Sequence, residues 1–221
     1  MPRKTFDQEL QRLEDEVLVL GSMVEKAIIE SVEALKNRDQ EAARRLVAGD
    51  RAINEKRFAI EADALTLIAT QQPLASDLRT IATVLEITTE LERMGDYAKG
   101  IAKVNLMMGE EPPLKPFAQV PLMAEKARHM LHQALEAFVL RDVALARAIA
   151  DEENEMDALH NQVYRELLAF IMDDPSTINR ATYLLWVAHN LERTGDRVVN
   201  ICERVVFTVT GKMYEINVSK Y

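Results

Sequence analysis

The sequence predicts an all-α protein made of two tandem, pseudo-repeated three-helix bundles, six long helices in all. Three observations carry this prediction. Gly and Pro number only seven each in 221 residues and aromatics make up 5%, a profile poor in turns and strand formers. Apolar residues recur at spacings of three and four over long stretches. The chain also repeats itself about once per 100 residues, most clearly as Leu91-Glu92-Arg93-Met94-Gly95-Asp96 and Leu191-Glu192-Arg193-Thr194-Gly195-Asp196.

The first helix runs from about Thr5 to Asn37, with Leu10, Leu13, Val17, Leu20, Val24, Ile28, Val32 and Leu35 along one stripe. Asp39 is a good N-cap for the second, which continues to about Gln71 and offers Ala43, Leu46, Ile53, Phe58, Leu65 and Ile68 as its apolar face. Gln72-Pro73 stops it, because proline cannot continue a helix. The third begins at Ala75 or Ser76 and reaches about Met108, with Val84, Ile87, Leu91, Met94, Ala98 and Ile101 as its seam. Gly109-Glu-Glu-Pro-Pro-Leu-Lys-Pro116 is the only clear linker. A fourth helix spans about Val120–Leu140. Asp142 caps a fifth to about Met172, and Asp173-Asp174-Pro175 breaks it. The sixth runs from about Ser176 to Thr210, with Leu184, Val187, Leu191, Thr194, Val198, Ile201 and Val205 buried and Gly211 as the C-terminal cap. Domains of 1–110 and 117–212 follow, with residues 213–221 as a tail. Laid end to end, such bundles would be long and flat, with helices of roughly 45 Å.

The repeat extends past the central string. Glu33-Ala34 and Arg38-Asp39 match Glu136-Ala137 and Arg141-Asp142, and Pro73 matches Pro175. Asp50 and Asn54 match Glu153 and Asp157. Each of Glu92/Asp96, Glu192/Asp196 and Glu153/Asp157 is an i,i+4 acid pair on one helix face. Such pairs weaken a helix by a few tenths of a kcal/mol. A Gly inside it costs about 1 kcal/mol more against Ala. Helix stability therefore does not explain the string. If helices two and three, and five and six, pack antiparallel, their polar pairs converge, and a multivalent cation would relieve the repulsion. Oxygen donors suit hard ions such as Mg²⁺, Mn²⁺, Ca²⁺ or ferric iron. The competing expectation is solvated acids with local partners, such as Asp96 with Lys99 or Glu90 with Arg93. Asn200, four residues after Asp196, is a further candidate ligand. His189 has a feasible ligand spacing to Glu192, but Thr89 stands there in the first half. His129, His132 and His160 are expected on interhelical surfaces, and Cys202 in the core.

A net charge of −9 argues against a phosphate-driven nucleic-acid binder. The lone Cys202 excludes an internal disulfide and fits a reducing cytosol. The charged start, Met1 to Asp7, does not resemble a signal peptide. The longest uncharged run, 64–76, holds Pro73 and is too short to span a bilayer, and no direct membrane insertion is expected. Phosphate-cradling Gly-rich loops are absent, no catalytic triad can be assembled by spacing, and Gly95 and Gly195 displace the His of a di-iron Glu-x-x-His motif. The expectation is a non-enzyme; a carboxylate-bridged metalloenzyme and a metal-free helical scaffold for a basic protein partner are the alternatives.

Together, Phe6-x-x-x-Leu10-x-x-Leu13, Gln71-Gln72-Pro73-Leu-Ala-Ser-Asp77-Leu78-Arg79 and the twice-repeated Leu-Glu-Arg-x-Gly-Asp string resemble the PhoU family over nearly the whole chain. The resemblance implies two similar three-helix bundles in a cytoplasmic negative regulator of the phosphate starvation response. It implies docking on the ATPase subunit of a phosphate ABC transporter and on the sensor histidine kinase of the phosphate regulon, and it is compatible with a homodimer. It also implies metal at E/D-x-x-x-D motifs, iron first, with Mn, Mg, Ca or Zn as alternatives. Glu92/Asp96, Glu192/Asp196 and Glu153/Asp157 match that pattern; at Asp50/Asn54 an amide replaces the second acid.

Overall fold

The computed structural model describes residues 3–109, Leu114 and 118–216. Most of the predicted proline linker and the last five residues of the tail lie outside the described residues. The helices are α1 (Arg3–Asn37), α2 (Gln40–Gln71), α3 (Ala75–Met108), α4 (Gln119–Leu140), α5 (Val143–Asp151), α6 (Glu153–Asp173) and α7 (Ile178–Thr210), with a 3₁₀ turn at Pro175–Thr177. No strand occurs among the described residues.

Local signals place most boundaries. The Asp39 carboxylate accepts from Ala42 N at 2.8 Å, and Asp142 accepts from Ala144 N and Leu145 N at 2.9 and 3.0 Å. These bonds satisfy donors that a helix start leaves open. Arg38 and Arg141, repeat partners, both turn the chain with positive φ, 54° and 56°. Gly211 closes α7 in the left-handed region at φ 70°.

The structure corrects three expectations. The predicted fifth helix is two, α5 and α6, because the Glu152 N–H bonds back to Ile149 O and the Glu155 N–H to Glu152 O, both at 3.0 Å. That i→i−3 pattern tightens one turn. Phe58 and Leu65, predicted on the apolar face of α2, are both 59% exposed. The stripe that faces inward is Ala43, Leu46, Asp50, Ile53, Arg57, Ile60, Ala64 and Leu67, alternating by three and four, so each misplaced residue stands about 100° off it.

Third, the halves lie side by side rather than end to end. On α3 against α7, Thr83 Oγ1 is 2.7 Å from Thr208 Oγ1, and a Cβ at Gly100 would come within 3.2 Å of Asn190 Nδ2. On α1 against α4, Gly21 lies against Leu135, Glu25 meets His132 Nδ1 at 3.2 Å, and Glu14 pairs with Arg141. Rising residue numbers on one helix meet falling ones on the other, so repeat-equivalent helices pair antiparallel. A two-fold relation across the helices produces that arrangement. The hydrophobic seams of both halves merge into one core, and the predicted seam residues of α3 and α7 are all buried. Burying apolar surface on both sides of α3 and α7 stabilises more than two separate bundles would, at about 25 cal/mol per Å² removed from water.

Candidate metal centre and its family

The motif glycines are packing positions. A Cβ on Gly95 would stand 3.1 Å from Ile53 Cδ1 and 3.2 Å from its Cγ2; a Cβ on Gly195 would stand 3.3 Å from Met156 Cγ. Ile53 and Met156 are repeat partners. Each is a knob of the preceding helix seated on the bare backbone of the motif helix. The motif acids flank the glycine at −3 and +1, and the second polar pair flanks the knob at the same offsets. Close antiparallel approach therefore brings Asp50/Asn54 to Glu92/Asp96 and Glu153/Asp157 to Glu192/Asp196.

In the first half, cations join these acids. Lys99 Nζ lies 2.7 Å from Asp50 Oδ2 and 3.2 Å from Asp96 Oδ1. Arg57 Nη1 lies 3.3 Å from Glu92 Oε2, while its Nε holds Glu61 at 2.7 Å. Asn54 Nδ2 donates to Asp50 Oδ2 at 3.1 Å. Asp50 Oδ1 is buried and receives no hydrogen bond. Hydrogen bonding to Asp50 holds the Lys99 ammonium above its ordinary pKa. Burial, then the charge of Asp96, push Glu92 up, against Arg57. Asp50 and Lys99 also line an open groove of about 650 Å³ along α1, α2 and α3.

The second half differs. Burial, then the charges of Asp196, Asp157 and Glu153, push Glu192 up to about 7. Its Oε2 is buried without a hydrogen bond; His189 Nδ1 lies 3.2 Å away but is not placed to donate. Asp196 is raised too, first by burial, with Arg197 opposing. His160 lies beside His189, ring centroids 6.3 Å apart, and burial lowers its pKa, so it is neutral at pH 7. Among the described residues, no three His, Cys, Asp or Glu side chains are already arranged to hold a metal ion.

Asn200 does not join its predicted partners. Its amide donates to Glu90 Oε2 at 3.2 Å across α3–α7, where Arg197 Nη1 also reaches Glu90 at 3.3 Å. Glu90 therefore pairs with Arg197 rather than Arg93. Arg193 stacks over the Tyr97 ring at 5.1 Å. Cys202 is buried, as expected, and burial pushes its thiol up to about 12. Sequence reasoning passed over Arg57 and expected His160 only on an interhelical surface. Both interrupt otherwise apolar heptads, Ile53-x-x-x-Arg57-x-x-Ile60 and Met156-x-x-x-His160-x-x-Val163, and that interruption was the available signal.

The PhoU domain family model matches residues 17–104 and 120–205, once in each half. The chain belongs to the PhoU family. It is 36% identical over 218 residues to the phosphate-specific transport system accessory protein PhoU homolog of Clostridium acetobutylicum, covering 98% of this chain and 100% of that protein. It is 37% identical over 210 residues to the homolog of the same description in Caulobacter vibrioides, covering 95% of this chain and 91% of that one. The crystal structure of the phosphate transport system regulatory protein PhoU from Streptococcus pneumoniae superimposes with a TM-score of 0.88 at 34% identity, over 95% of this chain and 99% of that one. PhoU from Pseudomonas aeruginosa gives 0.88 at 32% identity, over 94% and 100%. Both PhoU domains of this chain thus carry the same glycine-and-knob crossing. No helix among the described residues is long and apolar enough to cross a membrane.

Proposed function

We propose that the protein is a non-enzymatic, cytoplasmic accessory regulator of phosphate uptake. It restrains the phosphate starvation response by docking on the ATPase subunit of a phosphate ABC transporter and on a sensor histidine kinase. The observation that carries this is near full-length similarity to PhoU proteins described as accessory to phosphate-specific transport, with a PhoU domain in each half. The accessory role suits a chain whose polar clusters sit on helix crossings and on an open groove.

The donor set of the α6–α7 crossing fits a cation. Glu153, Asp157, Glu192 and Asp196 bring four carboxyl groups, and Glu192, raised to about 7, keeps one buried oxygen without a hydrogen bond. These residues would hold the ion, with iron, Mn, Mg, Ca or Zn as candidates. Bound there, it would neutralise the repulsion and order the crossing. Glu192 would release its proton to solvent as the ion binds, and Met156 on Gly195 would hold the two helices at a fixed separation.

Two experiments test this. Pull-down from cells grown in high and low phosphate should recover the transporter ATPase and the kinase; recovery of neither under both conditions refutes the regulatory role. Elemental analysis of purified protein should show metal that the double variant Glu192→Ala/Asp196→Ala loses. Equal metal in both refutes the assignment of those residues.

A further inference from the structure

The two halves differ most where their repeat is strongest. At the α2–α3 crossing, three carboxylates, Asp50, Glu92 and Asp96, face two fixed cations. Lys99 bridges Asp50 and Asp96, and Arg57 pairs with Glu92. The fourth position is Asn54, an amide that brings no charge and spends its N–H on Asp50. At the α6–α7 crossing the position equivalent to Asn54 is Asp157, a fourth carboxylate. The position equivalent to Lys99 is Val199, which is buried, and the position equivalent to Arg57 is His160. The nearby arginines are engaged across the α3–α7 interface: Arg193 covers the Tyr97 ring and Arg197 holds Glu90.

An ammonium between two carboxylates stands where a bridging metal ion would stand. It supplies one positive charge to the same acids, and it repels any divalent ion brought beside it. Lys and a hard cation are therefore alternatives at one crossing, not companions. The first crossing does not fit a metal; the second has the donors and lacks the ammonium.

We infer that Lys99 is a built-in counter-cation, so that the α2–α3 half holds no metal ion and only the α6–α7 half takes one. The second clause rests on the metal assignment proposed above; the first stands on Lys99 itself. The repeat then contains one half braced by fixed charge and one half whose acids depend on an ion.

Manganese is the probe. Wild type, Lys99→Val (which copies Val199) and Lys99→Arg are stripped with chelator, dialysed against Mn²⁺, and measured for bound metal per chain and for thermal midpoint with and without the ion. Lys99→Val should lower the midpoint of metal-free protein, regain it on adding Mn²⁺, and roughly double the bound metal. Lys99→Arg, which keeps the charge, should match wild type. The added metal should persist when Glu192→Ala/Asp196→Ala is combined with Lys99→Val. Should Lys99→Val not fold, Lys99→Gln removes the charge at similar length and is read the same way. Wild-type Lys99 protein that still binds Mn²⁺ after Glu192→Ala/Asp196→Ala, and loses it on Asp96→Ala, overturns the inference. So does a charge-removing variant that gains no metal. A wild type that binds none refutes the metal assignment of the second half, while the Lys99 variants still decide the first.

Discussion

The glycine in each repeated string sets the distance between the acid-bearing helices, and Gly95→Ala tests this. Two terms oppose each other. Alanine is better than glycine inside a helix by about 1 kcal/mol. Against that, the new Cβ would stand 3.1 and 3.2 Å from two carbons of Ile53, a buried and β-branched side chain with few alternative rotamers. Overpacking of this kind costs about 1–3 kcal/mol. The net expectation is a loss of roughly 0–2 kcal/mol, the difference of those two terms. Two control substitutions isolate them. At Gly49 in α2 a methyl would meet nothing within 4 Å, so Gly49→Ala should gain about 0.5–1 kcal/mol. Gly195→Ala meets the flexible Met156 at 3.3 Å and should fall between the other two. The assay is chemical denaturation of metal-free protein, supported by thermal midpoints, where 1 kcal/mol corresponds to about 2–4 °C in a chain of this size. A double-mutant cycle with Ile53→Ala completes it: the cavity admits the new methyl, so the cost of Gly95→Ala should shrink. If Gly95→Ala stabilises as much as Gly49→Ala, or is additive with Ile53→Ala, the knob-on-glycine account is wrong.

Two further outcomes are expected. Glu192 titrates near 7 in the fold against an ordinary 4.5, so the folded state binds more protons across that window. The stabilisation is fully present below pH 4.5 and lost as pH rises through 7. Metal-free wild type should lose roughly 1–2 kcal/mol over that range after allowance for solvent screening, and Glu192→Gln should flatten the curve; a flat wild-type profile contradicts the burial of this acid. At the interface of the halves, Glu90→Ala would take the carboxylate partner from the Arg197 guanidinium, whose side chain is only 16% exposed, and leave it the Tyr97 hydroxyl. The expected cost is about 3 kcal/mol, with Glu90→Gln milder because it still accepts from Asn200; urea midpoints within error of wild type for Glu90→Ala would show the pair to be dispensable.

Helices, caps and the duplication are properties of local sequence. Asp39 and Asp142 cap backbone donors no more than three residues away, and the seams of α3 and α7 follow from a spacing that needs no partner to be recognised. Phe58 failed for the same reason it was chosen: hydrophobicity alone nominated it, while the inward stripe runs through polar Asp50 and Arg57. That stripe is legible once a heptad is allowed to carry charges. The two acid clusters were likewise legible as pairs on single helices, but Asn200 was assigned by spacing and turned instead toward Glu90.

The chain by itself determined that there would be two like halves, each with acids flanking a glycine, because period and repeat are one-dimensional quantities. Only the tertiary structure decided that the halves pack side by side, that Ile53 and Met156 seat on those glycines, and that Lys99 reaches across to Asp50 and Arg57 to Glu92. Those choices depend on the register between helices that are far apart in sequence, and register is set by how close two backbones can come.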